Sequence, residues 1–199
     1  MELNLSLALF GALVAAVAIT RLVELGISQR RRRALFARGA PAVPERHFGA
    51  MVALHAGVLA AALLEAHLGR RPMIPALALA AALLVVLANA LRWWTITTLG
   101  PHWNVRVIDS TALGVVSSGP FRWIRHPNYL AVFVELAALP LVHSAYATAL
   151  LGTAAHIWVL RQRIVAEEAV LLADAGYRTR LGDKPRFLPW PRRTPWRSG

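Results

Sequence analysis

The chain has no cysteine among its 199 residues, which excludes disulfides, thiolate catalysis and cysteine-ligated metals. Charged residues are also scarce, at 16% of the sequence, whereas hydrophobic residues make up 57%. The mean hydropathy of +0.49 is too high for an ordinary soluble domain of this length. The composition therefore predicts an integral membrane protein.

Acidic residues are few, with 10 Asp and Glu against 22 Lys and Arg, and the formal net charge is +12. The basic residues flank apolar runs and form no basic face of the kind that binds nucleic acid, so we expect no nucleic-acid partner. None of the seven histidines forms a close pair at helical spacing, and we expect no bound metal. The sequence also lacks a Gly-x-Gly-x-x-Gly turn and a P-loop, which argues against a Rossmann-type nucleotide site.

Apolar segments indicate the membrane topology. The candidate spans are residues 3–27, 48–67, 73–94, 129–142 and 145–160. The first three are long enough to cross the bilayer, whereas the last two are short and are separated by Pro140 and His143-Ser144, which predicts a tight helical hairpin. We predict an all-α integral membrane protein of about five transmembrane helices.

The chain is predicted to form a single membrane domain, with three spans in residues 1–95 and a cofactor-binding region in residues 96–199. After the last span, residues 161–175 read as an amphipathic tail helix broken by Gly176 and then by a series of prolines. Of the 22 basic residues, only Arg70 and Arg71 lie on one side of the membrane in the predicted topology, and the other basic loops and the tail lie on the opposite side. The positive-inside rule then predicts an outside N-terminus and a cytoplasmic C-terminus, in a bacterial plasma membrane.

Polar side chains gather where the fourth span begins. In Arg125-His126-Pro127 the proline forces His126 towards an extended backbone, so a helix should begin at about Asn128. The N–H groups of that helix start, together with Arg125, could hold a carboxylate or stabilise an oxyanion. The alternative is that these residues only anchor the span among lipid headgroups.

A second polar cluster follows the last span. Arg163 and Glu167 are spaced to pair at i and i+4, which would leave Glu168 free to meet a cationic ligand. The alternative is a solvated helix surface. Glu135 lies inside an apolar span and needs a partner, a proton or a ligand, and Glu65 and His55 are a further candidate polar pair.

Together the two clusters resemble a known family. Residues 119–129 read Gly-Pro-Phe-Arg-Trp-Ile-Arg-His-Pro-Asn-Tyr, and Arg163 is followed by Glu167-Glu168-x-x-Leu171 and Gly176-Tyr177. This combination resembles the isoprenylcysteine carboxyl methyltransferase family over about residues 92–190. The resemblance implies an all-helical membrane enzyme that uses S-adenosyl-L-methionine, yields S-adenosyl-L-homocysteine, and encloses the cofactor between the last helices and the C-terminal segment.

The resemblance also implies site residues. Those that match cofactor-binding positions are His126, Pro127, Tyr129, Glu167, Glu168 and Leu171. Those that match catalytic positions are Arg125 near the acceptor oxygen, Arg163 ahead of the acidic pair, and Glu168, and no metal ligand is implied. The sequence departs from the family at Arg180, where a second tyrosine is common.

The expected activity is therefore S-adenosylmethionine-dependent O-methylation of a lipophilic acceptor, on a carboxylate or on a phenol or enol. Residues 92–106 resemble a bacterial branch associated with alkylresorcinol and alkylpyrone lipids, whereas the wider family acts on prenylated acceptors. Arginine outnumbers lysine 21 to 1, a bias that fits GC-rich bacterial coding and this branch. The sequence leaves open whether His126 or Glu168 removes a proton from a phenol.

Two other functions are alternatives to a methyltransferase. One is an NADPH-dependent membrane lipid or sterol reductase, and the other is a non-catalytic transporter or scaffold, in which Glu135, Glu65 and His55 would line a path.

Overall fold

The computed structural model describes residues 2–41 and 48–189, and within these ranges the fold is all-helical, with no β-strand. The α-helices are α1 (Glu2–Ala37), α2 (Phe48–Leu68), α3 (Pro75–Leu99), α4 (Pro127–Ala138), α5 (Tyr146–Leu171) and α6 (Ala175–Leu181). Short 3₁₀ turns connect α3 to α4 and α4 to α5. The all-α prediction is confirmed.

Three helices are long and apolar enough to cross a membrane, namely α1, α2 and α3. Their apolar windows have mean hydropathies of 2.1, 1.8 and 1.9, and between 11% and 22% of each window is buried inside the protein. Leucines such as Leu79 and Leu83 are exposed on these helices. An apolar helix whose surface faces outward needs lipid around it, so the fold is that of a membrane protein. That α4 and α5 also span remains a prediction.

The hairpin between α4 and α5 forms as the sequence predicts. The 3₁₀ turn Leu139–His143 follows α4, and Ser144 adopts a left-handed conformation with φ of 55° before α5 begins. Glu65 of α2 accepts hydrogen bonds from the backbone N–H groups of Ala147 (3.1 Å) and Thr148 (2.7 Å). A carboxylate at this position satisfies the free N–H groups of the first turn of α5. Glu65 therefore stabilises a helix start and does not pair with His55.

Two predicted boundaries are wrong. The tail helix expected at residues 161–175 does not exist as a separate element, because α5 runs without a break from Tyr146 to Leu171. Gly176 does not end a helix but lies inside α6. The first turn of α6 is capped by the Asp174 carboxylate, which accepts a hydrogen bond from the Tyr177 N–H at 2.7 Å. The first helix, α1, extends past its predicted apolar span to Ala37, through four consecutive arginines, because arginine favours helix and its charge can reach water beyond the apolar segment.

A charge-balanced network joins α1, α3 and α4 inside the apolar bundle. Arg92 donates to Glu24 from Nε at 2.7 Å and also from its terminal nitrogen. Arg21 donates to Glu24 at 3.0 Å and to Glu135 at 3.3 Å. Asn89 donates to Glu135 at 2.7 Å. The partner that Glu135 requires is thus supplied by Arg21 and Asn89, and two cations balance two carboxylates where unpaired charges would be costly.

Candidate active site

The first motif forms a turn that leads into α4. Gly119 has φ of +54°, and a Cβ there would lie 2.6 Å from the Thr98 hydroxyl oxygen, so only glycine fits. His126 has φ of −122° and ψ of 58°, and Pro127 is the first residue of α4. The helix start predicted at about Asn128 is confirmed to within one residue, and Pro127 acts there as an N-terminal helix residue.

The second motif returns to this turn from α5, and Glu168 meets one imidazole and two guanidinium groups. His126 donates from Nε2 to Glu168 at 2.9 Å. Arg186 donates to both carboxylate oxygens, at 3.1 Å and 2.6 Å, and Arg125 lies at 3.5 Å. Glu168 is buried. The expectation that it is free to meet a cationic ligand is therefore wrong in this structure.

Tyr129 joins the other two motif residues. Arg163 donates from Nε to the Tyr129 hydroxyl at 2.7 Å, and that hydroxyl donates to Glu167. Arg163 also donates to the Val105 carbonyl, and the His126 ring stacks on Tyr129 with centroids 5.3 Å apart. The fold thus brings together residues that are about 40 positions apart in sequence, on α4 and on α5.

The C-terminal segment lies along the same turn. The backbone N–H groups of Arg125 and His126 donate to the carbonyls of Pro185 (2.9 Å) and Arg186 (3.0 Å). Lys184 donates from Nζ to the Phe121 carbonyl at 2.6 Å. Pairing of this kind fixes an extended segment against the site, with Arg186 reaching over Glu168.

Glu168 makes the docking of this segment sensitive to pH. Burial alone would raise its pKa, but hydrogen bonds from Arg186 and His126 and the charge of Arg125 outweigh it and lower the pKa to about 2. A carboxyl with a depressed pKa stabilises the folded state above its ordinary pKa, and this stabilisation is lost as the pH falls towards 2. We expect amide exchange in residues 183–187 to increase, beyond the intrinsic change in exchange rate, as the pH falls from about 5 to 2. Protection that stays constant across this window would contradict the role of Glu168.

A small cavity opens beside these residues. It measures about 130 Å³, and its lining includes Arg125, Glu167, Leu171, Tyr177 and Phe121. The carboxylate of Glu167, the guanidinium groups of Arg106 and Arg125, and several aromatic rings line it. Such a lining suits a zwitterionic ligand that also carries a flat ring.

A larger, mostly apolar cavity lies between α1, α2, α4 and α5. It measures about 280 Å³, and the exposed side chains of Leu22 and Val52 mark the side on which it faces the outside of the bundle. Tyr129 and Arg163 line this cavity, and the Tyr129 hydroxyl donates to Glu167 of the small cavity. The two cavities are therefore separated by a single hydrogen-bonded layer of side chains.

The site residues predicted from the sequence do not all line the same cavity. Arg125, Glu167 and Leu171 line the small cavity, whereas Arg163 and Tyr129 line the large one. The residues that sequence reasoning missed are Arg186, which binds Glu168, and Val105, which binds Arg163. Arg186 lies in the basic, proline-rich C-terminal segment, where no motif or periodicity marks it as a site residue. Val105 contributes only its backbone carbonyl, which the identity of the side chain does not reveal.

The fold is that of a helical membrane protein with a small cavity lined by charged groups on one side of a layer of side chains and a larger, mostly apolar cavity on the other. A sequence model of the isoprenylcysteine carboxyl methyltransferase (ICMT) family matches residues 80–173. The chain is 28% identical to the uncharacterized protein YpbQ of Bacillus subtilis (strain 168) over 164 residues, covering 82% of this chain and 96% of that protein. It is 30% identical to an uncharacterized protein of Haemophilus influenzae (strain ATCC 51907 / DSM 11121 / KW20 / Rd) over 158 residues, or 79% and 91% of the two chains. The chain belongs to the ICMT family, and membership implies a membrane methyltransferase.

Proposed function

We propose that this protein transfers a methyl group from S-adenosyl-L-methionine to an oxygen atom of a lipophilic acceptor. The observation that carries the proposal is the hydrogen-bonded layer of Arg163, Tyr129 and Glu167 between a small polar cavity and a larger apolar one. A methyl group moves in line only when the acceptor oxygen contacts the methyl carbon, so this layer opens at the hydrogen bond between Tyr129 and Glu167 when both molecules are bound.

The residues of the small cavity fit S-adenosylmethionine. Glu167 carries the negative charge that an ammonium group or a sulfonium requires, and Arg125 carries the positive charge that a carboxylate requires. Tyr177 and Phe121 offer apolar ring surfaces for a purine. When bound, the cofactor supplies a methyl group activated by its positive sulfonium.

The roles follow from which cavity each side chain lines. Glu167 and Arg125 bind the two ends of the polar ligand, and Leu171 packs against it. Glu168 acts indirectly, because its ion pairs hold His126, Arg125 and Arg186 in position. Pro127 fixes the start of α4 and thereby the orientation of Tyr129.

Arg163 is the group that orients the acceptor. Its guanidinium lines the apolar cavity and is itself held by the Tyr129 hydroxyl and the Val105 carbonyl. A carboxylate acceptor is ionised at neutral pH, but a phenol has a pKa of about 10 and ionises more easily beside a cation. The family resemblance suggested Arg125 for this role, yet Arg125 lines the small cavity, so we assign acceptor orientation to Arg163.

The acceptor class we favour is a phenolic or pyrone lipid, with the site on the cytoplasmic side of a bacterial plasma membrane and the N-terminus outside. The apolar cavity faces the outside of the bundle beside Leu22 and Val52, so a lipid tail can enter from the bilayer while its head meets Arg163.

The test is transfer of tritium from methyl-labelled S-adenosylmethionine to lipids, using the full chain purified in detergent. Matched reactions contain an alkylresorcinol, an alkylpyrone or a prenylated cysteine. We expect label in a phenolic or pyrone lipid and none after heat denaturation. Label in the prenylated cysteine alone would overturn the acceptor class, and no transfer to any acceptor by protein that binds the cofactor would overturn O-methylation of these lipids.

A further inference from the structure

The large cavity contains polar groups that binding a plain hydrocarbon tail does not explain. His156 of α5 is 2% exposed and lines this cavity. Neither of its ring nitrogens has a hydrogen-bond partner within the described part of the chain. A buried imidazole without partners costs free energy unless water or a ligand satisfies it.

His55 faces His156 across the cavity. The two rings meet edge-on with centroids 5.5 Å apart, and His55 uses Nδ1 for the Met51 carbonyl at 2.7 Å. That bond leaves Nε2 of His55 as its remaining polar atom. Two imidazoles from two helices thus meet at one place in the cavity wall.

The arginines of the buried network add donors to the same cavity. Arg21 and Arg92 both line it. Nε of Arg21 and one terminal nitrogen of Arg92 have no hydrogen-bond partner among the described residues. Because arginine only donates, these two nitrogens need an acceptor oxygen.

The depth of these groups sets where that oxygen lies. His156 precedes Arg163 by seven residues on α5, which is about 10 Å along the helix axis at about 1.5 Å per residue. Glu135, which binds Arg21, follows Tyr129 by six residues on α4, or about 9 Å. The backbone positions of His156 and Glu135 therefore lie about 10 Å along the bundle from those of Arg163 and Tyr129.

We propose that these polar groups form a second recognition site, at which a hydroxyl group on the acceptor's chain accepts a hydrogen bond from the imidazole of His156 and donates one to Nε2 of His55, about 10 Å along the bundle from Arg163. This inference rests on the proposed function, because it takes the large cavity to be the acceptor site. A carbon–carbon bond of about 1.5 Å advances a zigzag chain by about 1.25 Å, so about 10 Å corresponds to about eight carbon–carbon bonds between the carbon of the head group and the carbon that carries the hydroxyl. The substrate class is thus an oxygenated lipid, and a plain alkyl lipid lacks the group that this site recognises.

The test uses fatty-acid isomers whose carboxylate stands in for the acceptor head. The full chain in detergent is titrated with 3-hydroxyoctadecanoic acid or 10-hydroxyoctadecanoic acid in competition with tritiated octadecanoic acid. The isomers have the same composition, so they partition similarly into micelles. We expect the 10-hydroxy isomer to compete about tenfold better, which is the worth of about one buried hydrogen bond.

Substitutions identify the side chains. His156→Leu should reduce the preference to about one, and His156→Gln should restore part of it because an amide still makes hydrogen bonds. His67→Leu is the matched control, since His67 is exposed near the end of α2 and should keep the preference. If His156→Leu does not fold, His55→Leu tests the same prediction.

Several outcomes would overturn the inference. These are equal competition by the two isomers with wild-type protein, an unchanged preference in a folded His156→Leu or His55→Leu variant, and no competition by any fatty acid. The assay needs neither methyl transfer nor cofactor. Normal binding of S-adenosylhomocysteine without isomer preference would remove only the second recognition site, whereas isomer preference without cofactor binding would remove only the methyltransferase proposal.

Discussion

Replacing Arg163 with leucine should lower methyl transfer by about a hundredfold or more, because removing one preorganised donor to a reacting oxygen typically costs that much in turnover. Affinity for S-adenosylhomocysteine should change less than about fivefold, since Arg163 lines the large cavity and not the small one. Arg163→Lys should recover only part of the activity. A lysine keeps the charge but cannot bridge the Tyr129 hydroxyl and the Val105 carbonyl as the planar guanidinium does.

Arg161 provides the matched control. It lies two residues before Arg163 on α5 and is exposed, so Arg161→Leu removes the same charge and should leave turnover near the wild-type value. Because Arg163 is buried, thermal unfolding of each variant must be measured beside the rates. Equal losses of turnover and of cofactor affinity in a folded Arg163→Leu protein would show that Arg163 does not act on the acceptor.

Replacing Glu168 with alanine should weaken S-adenosylhomocysteine binding by about a hundredfold and release the C-terminal segment. The carboxylate holds His126 at 2.9 Å and Arg186 at 2.6 Å. Charge-assisted bonds of this kind are each worth about 1.5–3 kcal/mol, and without them the cations beside the small cavity repel one another. Calorimetric titration measures the affinity, and amide exchange in residues 183–187 measures the docking.

Asp183→Ala is the control for this prediction, since Asp183 is an exposed carboxylate in the same segment. It should bind S-adenosylhomocysteine as the wild type does. Tight binding by Glu168→Ala with a released segment would separate the two roles and would contradict the view that the ion pairs of Glu168 organise the cofactor site.

Much of the fold can be predicted from the sequence, because the positions of membrane helices depend on local features such as the length of an apolar segment and the positions of prolines. Apolar length indicates α1 to α3, and Pro127 positions the start of α4 through the restricted backbone of His126. Pro140 and Ser144 mark the hairpin turn because they interrupt an apolar run. Hydropathy did not reveal that α5 is continuous. The apolar signal stops partway along the helix, but the helix itself continues through its polar half to Leu171.

The candidate site is only partly readable, because its contacts depend on packing between distant segments. The motif residues His126, Tyr129 and Glu167 do meet. Glu168, however, was expected to be free, and it is held by Arg186, which stands in a segment without periodicity. Which arginine lines which cavity is likewise decided by helix rotation and by the Val105 carbonyl, and neither leaves a trace in the sequence.

The most direct measurement is calorimetric titration of S-adenosylhomocysteine into the detergent-purified full chain, with NADPH titrated in parallel and with Glu167→Gln as the paired variant. The account predicts saturable binding of S-adenosylhomocysteine at one site per chain, weakened about tenfold or more when the Glu167 carboxylate loses its charge. NADPH should give no saturable heat. A folded protein that binds NADPH and not S-adenosylhomocysteine would contradict the methyltransferase and favour a membrane reductase.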